Sequence, residues 1–413
     1  MEVVYFVDEF PPFFRGGLGT YAMEMTRKLM ELGHSVTVFS RNADRASTRG
    51  LWDGIEVHRP VLVDLAKILP FIVPADVRNW PPEGRQFFAE TLCYNILSAS
   101  KLVNVLVEQE KRDFDVIVSH DWLSAPAGMI ASEILKRPFI FHIHSTEQGR
   151  AGDGSTTIKV IEKLAGEFAT IIVTVSYAVR DELVKLGYDE SKIRVVYNGI
   201  DPTKYDPARV EKDKVSGLRA HLGIGDNELM ILFVGRLTWV KGADSLLRAM
   251  PTILREVPNA KLVILGVGEQ EGLLKHLISS LQLADSVVLE NRYVSEAERI
   301  LFYAACDVAV FPSRYEPFGI VCTEAMAMAK PVVVGARGTS GLREQVIPSG
   351  DAVCGAHINP DDPNDIAKFA ALILKDEGLR RKMGQNARKR VLSQFTWDKA
   401  ARDTINIYEE AAK

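Results

Sequence analysis

The sequence predicts an α/β protein built from two doubly wound domains, and three observations carry that expectation. Short β-branched runs alternate with segments of helical period along most of the chain, the pattern of parallel βαβ units. The alternation begins twice, at "EVVYFV" and again at "MILFVGR". Between the two lies "GIDPTKYDPARVEKDK", whose prolines, charges and weak periodicity mark a boundary, and 413 residues suit two domains of about 200 each.

Taken in order, "EVVYFV" reads as a buried strand, and the glycine-rich "RGGLGTY" leads into "YAMEMTRKLMELG", with apolar residues at helical spacing before a terminating glycine. "HSVTVFS" is the next strand. "FDVIVSH", "PFIFHIHS", "TIIVTVS" and "IRVVYNG" follow as strands, with helices around "APAGMIASEILK" and "TTIKVIEKLAGEF" and another after "TIIVTVS". In the second half the strands are "MILFVGR", "AKLVILGVG", "SVVLENR", "DVAVFPS" and "PVVVGA". Helices are expected from about Ala243 to Val257, around "QEGLLKHLISSL", briefly before "DVAVFPS" and again after it. From "DPNDIAKFAALIL" onward the pattern is helical, with no strand left to place.

Composition narrows the function classes. The 47% hydrophobic and 25% charged content is that of an ordinary globular chain. Net charge is −4 and neither half carries a basic excess, so a nucleic-acid partner is not expected. Cys93, Cys306, Cys322 and Cys354 are scattered without a C-x-x-C pair, which argues against a disulfide framework or zinc ribbon and for a reducing, cytoplasmic setting. The start "MEVVYFVDEFPPFF" lacks the basic opening and small-residue cleavage site of a signal peptide. No apolar run approaches the roughly 18 residues of a spanning helix, which leaves peripheral membrane contact open.

Candidate chemistry collects where strands end, the edge at which open α/β sheets bind ligands. Gly16, Gly17 and Gly19 in "RGGLGTY" let backbone approach a ligand closely, and the helix after them offers free amides to an anion; the alternative is a plain tight turn. It is not the spaced G-x-G-x-x-G of dinucleotide folds. In "FVGRLTWVKG", Arg236 and Lys241 follow a strand and flank a helix start. Two such cations can neutralise a diphosphate, or they are simply solvated. In "SRYEPFGIVCTEAMA" the helix is expected to begin near Phe318 to Ile320, leaving Glu316 in the loop and Glu324 in the second turn. Amides of Gly319, Ile320 and Val321 could then hold phosphate oxygens while the two carboxylates accept from hydroxyls on either side. A ligand with hydroxyls at both ends of a diphosphate is a nucleotide sugar. His120, Asp121, His142 and His144 end consecutive strands; His142 and His144 share one strand face. With Asp121 and Glu147 as the only nearby carboxylates, they complete no recognisable zinc pattern, so no metal centre is expected.

Together "GGLGTY", "HDW", "HIHS", "VSYAVRDELV", "VVYNGID", "GRLTWVKG" and the E-x7-E of Glu316 and Glu324 resemble the retaining GT-B glycosyltransferases of family 4, with sucrose, trehalose and bacterial mannosyl transferases among them, and their glycogen and starch synthase relatives. The likeness spans essentially the whole chain. It implies two Rossmann-like domains facing each other across a deep cleft. The first, acceptor-side domain covers 1–200 and is rejoined by a C-terminal helix at about 395–413; the second, donor domain covers 201–394. It also implies Arg236 and Lys241 on the donor diphosphate, Glu316 on the transferred sugar, Glu324 on the ribose and His144 beside the donor sugar. Gly16 and Gly17 would lie by phosphate and acceptor, and Phe318 to Val321 by the donor. Gly266 in "GVGEQ" and Arg292 in "NRYV" match stretches lining the base pocket, and His120 and Asp121 fall on the acceptor side. No cofactor or metal is implied. "HDW" and "HSTEQGR" look most like α-glucan synthases, which points to UDP- or ADP-glucose as donor and a glycan or small sugar as acceptor. The synthase lysine before the paired glycines is replaced by Arg15. Other readings are transfer of mannose or N-acetylglucosamine to a lipid or small molecule, an epimerase, a phosphorylase, and a non-catalytic nucleotide-sugar sensor.

Overall fold

A computed structural model describes residues 1–13, 16–42 and 46–413. Arg15 lies outside the described residues. The chain divides into two compact units, Met1–Tyr197 with Trp397–Lys413, and Asn198–Thr396.

The first unit holds an eight-stranded sheet in the order β3-β4-β2-β1-β5-β6-β7-β8. Its strands are β1 (Glu2–Val7), β2 (Ser35–Ser40), β3 (Arg49–Trp52), β4 (Ile55–His58), β5 (Val116–His120), β6 (Phe139–Ile143), β7 (Ile171–Thr174) and β8 (Ile193–Val195). All neighbours pair in parallel except β3 with β4. Residues 3–7 of β1 are buried on both faces, as a central parallel strand covered by helices requires. The chain turns outward in both directions from β1, so the switch point lies between β1 and β5. The Trp397–Ala411 helix places Trp397, Ala400, Ala401, Ile405 and Tyr408 at helical spacing in the same core cluster as Val3, Tyr5 and Tyr21. That buried stripe explains why the last segment belongs with this unit.

The second unit holds six parallel strands in the order β11-β10-β9-β12-β13-β14. They are β9 (Leu229–Val234), β10 (Ala260–Leu265), β11 (Val287–Glu290), β12 (Val308–Phe311), β13 (Val332–Gly335) and β14 (Gly355–Ile358). The Ala243–Glu256 and Pro363–Lys375 helices bury Leu246, Met250, Ile253, Ile366, Ala370 and Ile373 in one cluster with strand residues Ile231 and Ile264. Here the switch point lies between β9 and β12.

Three strands depart from the sequence expectation. β3 and β4 were not anticipated because "RGLW" and "IEVH" interrupt their apolar residues with Arg, Gly, Glu and His, unlike the equally short apolar run of β12; the signal that could have found them is Asp53-Gly54, both at positive φ, in the tight turn between them. β14, "GAHI", is equally short and opens on glycine. The Pro82–Lys101 helix also runs on as a wider π-helical segment, Leu102–Gln109, which the periodicity did not suggest.

Candidate functional site

In the second unit Arg236, Lys241 and Glu316 follow the two strands that flank the switch point, β9 and β12. After β9, Arg236 is exposed and its guanidinium makes no ion pair among the described residues. A short 3₁₀ turn, Trp239–Lys241, then brings Lys241 Nζ to 2.5 Å from Glu316 Oε2. After β12, Glu316 is buried, its N–H donating to Thr339 O at 3.1 Å and its carbonyl accepting from Gly341 N at 2.8 Å. Ser313 Oγ donates to Glu316 Oε2 at 3.2 Å. The second oxygen, Oε1, accepts no hydrogen bond among the described residues. Glu316 therefore has one oxygen fixed by Lys241 and Ser313 and one open.

The Ile320–Ala327 helix begins where the sequence suggested, with Glu316 in the loop before it and Glu324 in its second turn. Gly319 caps it at φ 91°, and a Cβ there would lie 2.5 Å from Leu342 Cδ2 and 3.1 Å from Glu316 Cγ. Only glycine fits both the conformation and the space. The amides of Gly319, Ile320 and Val321 donate to no acceptor among the described residues, as expected at an uncovered helix start. Phe318, by contrast, turns its ring inward against Phe395, 6.0 Å between centroids. Gly266 ends β10 against Gly235, whose carbonyl oxygen would stand 1.9 Å from a Cβ, so the two loops touch backbone to backbone. Arg292 is exposed after β11 and already paired with Glu290 at 2.7 Å and Glu298 at 2.5 Å.

Glu324 is buried and saturated. Its oxygens accept from Tyr205 at 2.7 Å, from Tyr303 at 2.8 Å and from Arg299 at 2.8 and 3.0 Å. Sequence reasoning missed these donors, Tyr205, Tyr303 and Arg299, which lie 119, 21 and 25 residues away and follow no motif spacing. Burial and the Glu324 charge push the Tyr205 and Tyr303 phenols well above their usual range, so both remain donors.

In the first unit, Gly16 and Gly17 are exposed at the head of the Gly17–Glu31 helix, after β1. Across the switch point, His120 ends β5 and pairs in register with His142 on β6. His120 Nδ1 lies 3.1 Å from His144 Nε2. Asp121 sits at φ 54°, a left-handed position, and its Oδ1 accepts from His144 N–H at 2.7 Å. His142 is held between the hydroxyls of Tyr21 at 3.3 Å and Tyr408 at 3.0 Å, and Tyr408 in turn meets Tyr5 at 2.8 Å. Burial pushes all three imidazoles below the usual histidine range; neighbouring histidines push His120 and His142 further down, while Asp121 opposes the shift at His144.

Residues 15–204 match the family described as Glycosyltransferase Family 4, and residues 216–390 match Glycosyl transferases group 1. A glycosyltransferase of Methanocaldococcus jannaschii, itself uncharacterized, is 34% identical over 416 residues that cover 100% of this chain and 98% of its own. The chain is a family 4 glycosyltransferase. A glycogen synthase of Mycobacterium tuberculosis is 28% identical, with 100% of this glycosyltransferase and 95% of that protein covered. Among solved structures, Anabaena HepE in complex with UDP-glucose superposes with a TM-score of 0.75 at 21% identity, covering 99% of this glycosyltransferase and 100% of that chain. The two doubly wound units are thus those of the GT-B type. Among the described residues, no helix of this glycosyltransferase is long and apolar enough to cross a membrane.

Proposed function

We propose that the chain is a retaining hexosyltransferase that moves glucose from UDP- or ADP-glucose to a glycan or small sugar acceptor, as a glycogen or α-glucan synthase does. The observation that supports this most is Glu316, with one carboxylate oxygen held by Lys241 and the other open, directly before three free amides. An open carboxylate oxygen accepts from a sugar hydroxyl, and the amides with Arg236 and Lys241 suit the diphosphate beside it. An ammonium has three donors, so Lys241 can hold Glu316 and still reach a phosphate oxygen.

In this reading the leaving diphosphate gains charge as the bond to the sugar breaks, and Arg236, Lys241 and the helix amides stabilise it in place. The acceptor hydroxyl attacks from the face the diphosphate leaves, and a phosphate oxygen takes its proton. These cations supply the charge that a metal would otherwise bring, so transfer is expected to run under chelation. His144, with Asp121 holding its backbone N–H, serves the sugar end, and His120 and Asp121 the acceptor side. Gly16 and Gly17 contribute amides to phosphate and acceptor. Gly266 and the Arg292 loop border the base, while Phe318 contributes backbone and packing. The four cysteines are buried free thiols, which suits a reducing, cytoplasmic setting.

The deciding experiment is a donor panel (UDP-, ADP- and GDP-sugars) against glycan and monosaccharide acceptors, with proton NMR of the earliest product. An α-glucosidic product from a glucose donor is expected; a β-anomer, or preferred turnover of mannose or N-acetylglucosamine, overturns the assignment.

A further inference from the structure

We infer that His120, His142 and His144 form a binding site for one divalent transition-metal ion of the zinc class. One ring nitrogen from each lies within 4.8 Å of the other two. The topology explains the convergence: β5 and β6 pair in parallel with His120 opposite His142, and His144 follows two residues later on the same face. Ring centroids are 4.8, 5.4 and 6.2 Å apart.

His120 Nδ1 and His144 Nε2 are already 3.1 Å apart, close to the edge of about 3.3 Å between two nitrogens bound to a tetrahedral zinc. His142 must move in by about 1.5 Å to complete the triangle at that spacing. Its Nδ1 is the nitrogen with the longer hydroxyl contact, 3.3 Å to Tyr21, and releasing it leaves Nε2 oriented by Tyr408 at 3.0 Å. A second-layer partner on the far nitrogen is the usual companion of a metal-bound histidine.

Three further features suit an ion here. His120 is fully buried and its Nε2 has no hydrogen-bond partner; a metal shared by Nδ1 and His144 Nε2 replaces the one hydrogen bond between those two nitrogens and leaves the His120 proton on Nε2. Burial keeps all three imidazoles neutral, the form that ligates. Asp121 places a carboxylate behind His144, supplying negative charge without entering the set. Three imidazoles with no carboxylate select zinc, cobalt, nickel or copper over magnesium, calcium or manganese.

The consequence for transfer rests on the role proposed for His144: an ion on its Nε2 removes it from the sugar site, so the metal inhibits. The full chain, stripped with chelator, is titrated with cobalt(II) at pH 7.5 and then displaced with zinc. One equivalent of cobalt with the visible bands of an imidazole-bound ion is expected, with at least about 10²-fold weaker binding in both His142→Ala and His120→Asn, and no saturable response to magnesium. Thermal melts confirm that each variant is folded, and the two substitutions on different strands guard against one failing to fold. Absence of saturable cobalt binding, or one-to-one binding that survives both substitutions, overturns the site. Zinc inhibition of glucosyl transfer, reversed by chelator, supports the stated consequence; an ion that binds at the triad while transfer continues at full rate overturns the role given to His144 and leaves the site standing.

Discussion

Arg299 meets Glu324 side-on, with Nε 3.0 Å from Oε2 and Nη2 2.8 Å from Oε1. Tyr205 and Tyr303 add one hydroxyl to each oxygen, so the four acceptor positions of the carboxylate are all taken by protein. A ribose hydroxyl reaching Glu324 must displace one of these donors, and a tyrosine hydroxyl is the less costly to lose because the guanidinium is charged. The carboxylate thus ties the segment carrying Tyr205 and the Glu296–Ala305 helix to the Ile320–Ala327 helix.

Glu324→Gln should therefore destabilise the protein even without ligand. The amide turns a donor toward Arg299 or Tyr303 and leaves a half-buried guanidinium short of its counter-charge, which costs about 3 kcal/mol. Calorimetric melting of the ligand-free variant measures this. An unchanged melting temperature means that Glu324 faces ligand only.

Replacing Arg236 with alanine should lower kcat/KM by about 10²-fold, as loss of one preorganised charge-stabilising group does, with little change in melting temperature because its guanidinium has no ion-pair partner among the described residues. Lys241→Ala should match it in kcat/KM and also lower stability, since it strands the Glu316 carboxylate. Steady-state rates paired with melts separate the two. Near-normal transfer in either variant removes that cation from the diphosphate site.

Most of the architecture was legible because parallel strands buried on both faces print themselves as continuous apolar runs, and β1 and β9 are of that kind. Two edge strands were not: β3 and β14, "RGLW" and "GAHI", lack the β-branched apolar run that makes the equally short edge strand β11, "VVLE", readable. The same division holds at the candidate site. Glu316, Lys241 and Gly319 were visible since each follows a strand or opens a helix, where backbone chemistry restricts the residue type. Ser313 and the Tyr205–Arg299–Tyr303 set were invisible, because a hydrogen-bond partner is chosen by tertiary contact alone. His142 was visible as a strand residue, but its place between Tyr21 and Tyr408 depends on a C-terminal helix 266 residues away in sequence.

Glu162 gives a pH signature independent of catalysis. It is buried, its oxygens accepting from Glu147 N–H at 3.0 and 3.1 Å, and burial pushes its carboxyl up from 4.5 to about 7. Below pH 4.5 both folded and unfolded chains hold the proton. Between 4.5 and 7 only the folded chain does, so this group's contribution falls as pH rises through that window and levels off above it, by about 3 kcal/mol in all. Glu162→Gln cannot titrate. Its stability relative to the parent should rise steadily from pH 4.5 to 7 in urea titrations, and a pH-independent difference contradicts the elevated value.

The sharpest prediction on the donor side concerns Glu316→Gln. The parent carboxylate holds Lys241 through Oε2, and in the proposed function its free Oε1 takes a sugar hydroxyl, so two functions would share one group. Glutamine keeps a single carbonyl acceptor and replaces the other oxygen with an amide donor. If the carbonyl stays with Lys241, the amide faces the sugar and cannot accept from its hydroxyl; if the side chain flips, the ammonium loses its anchor. Either way the sugar is misplaced, and misplacing a reacting group by about 1 Å costs about 10²-fold in rate. The diphosphate contacts proposed for Arg236 and the helix amides do not involve Glu316, so UDP or ADP alone should bind within about threefold of the parent, a difference of under 1 kcal/mol. Isothermal titration with the free nucleotide, set beside single-turnover transfer from the nucleotide sugar, reads both quantities. Equal losses in nucleotide binding and transfer would assign Glu316 to the diphosphate end, whereas loss of transfer with binding intact assigns it to the sugar.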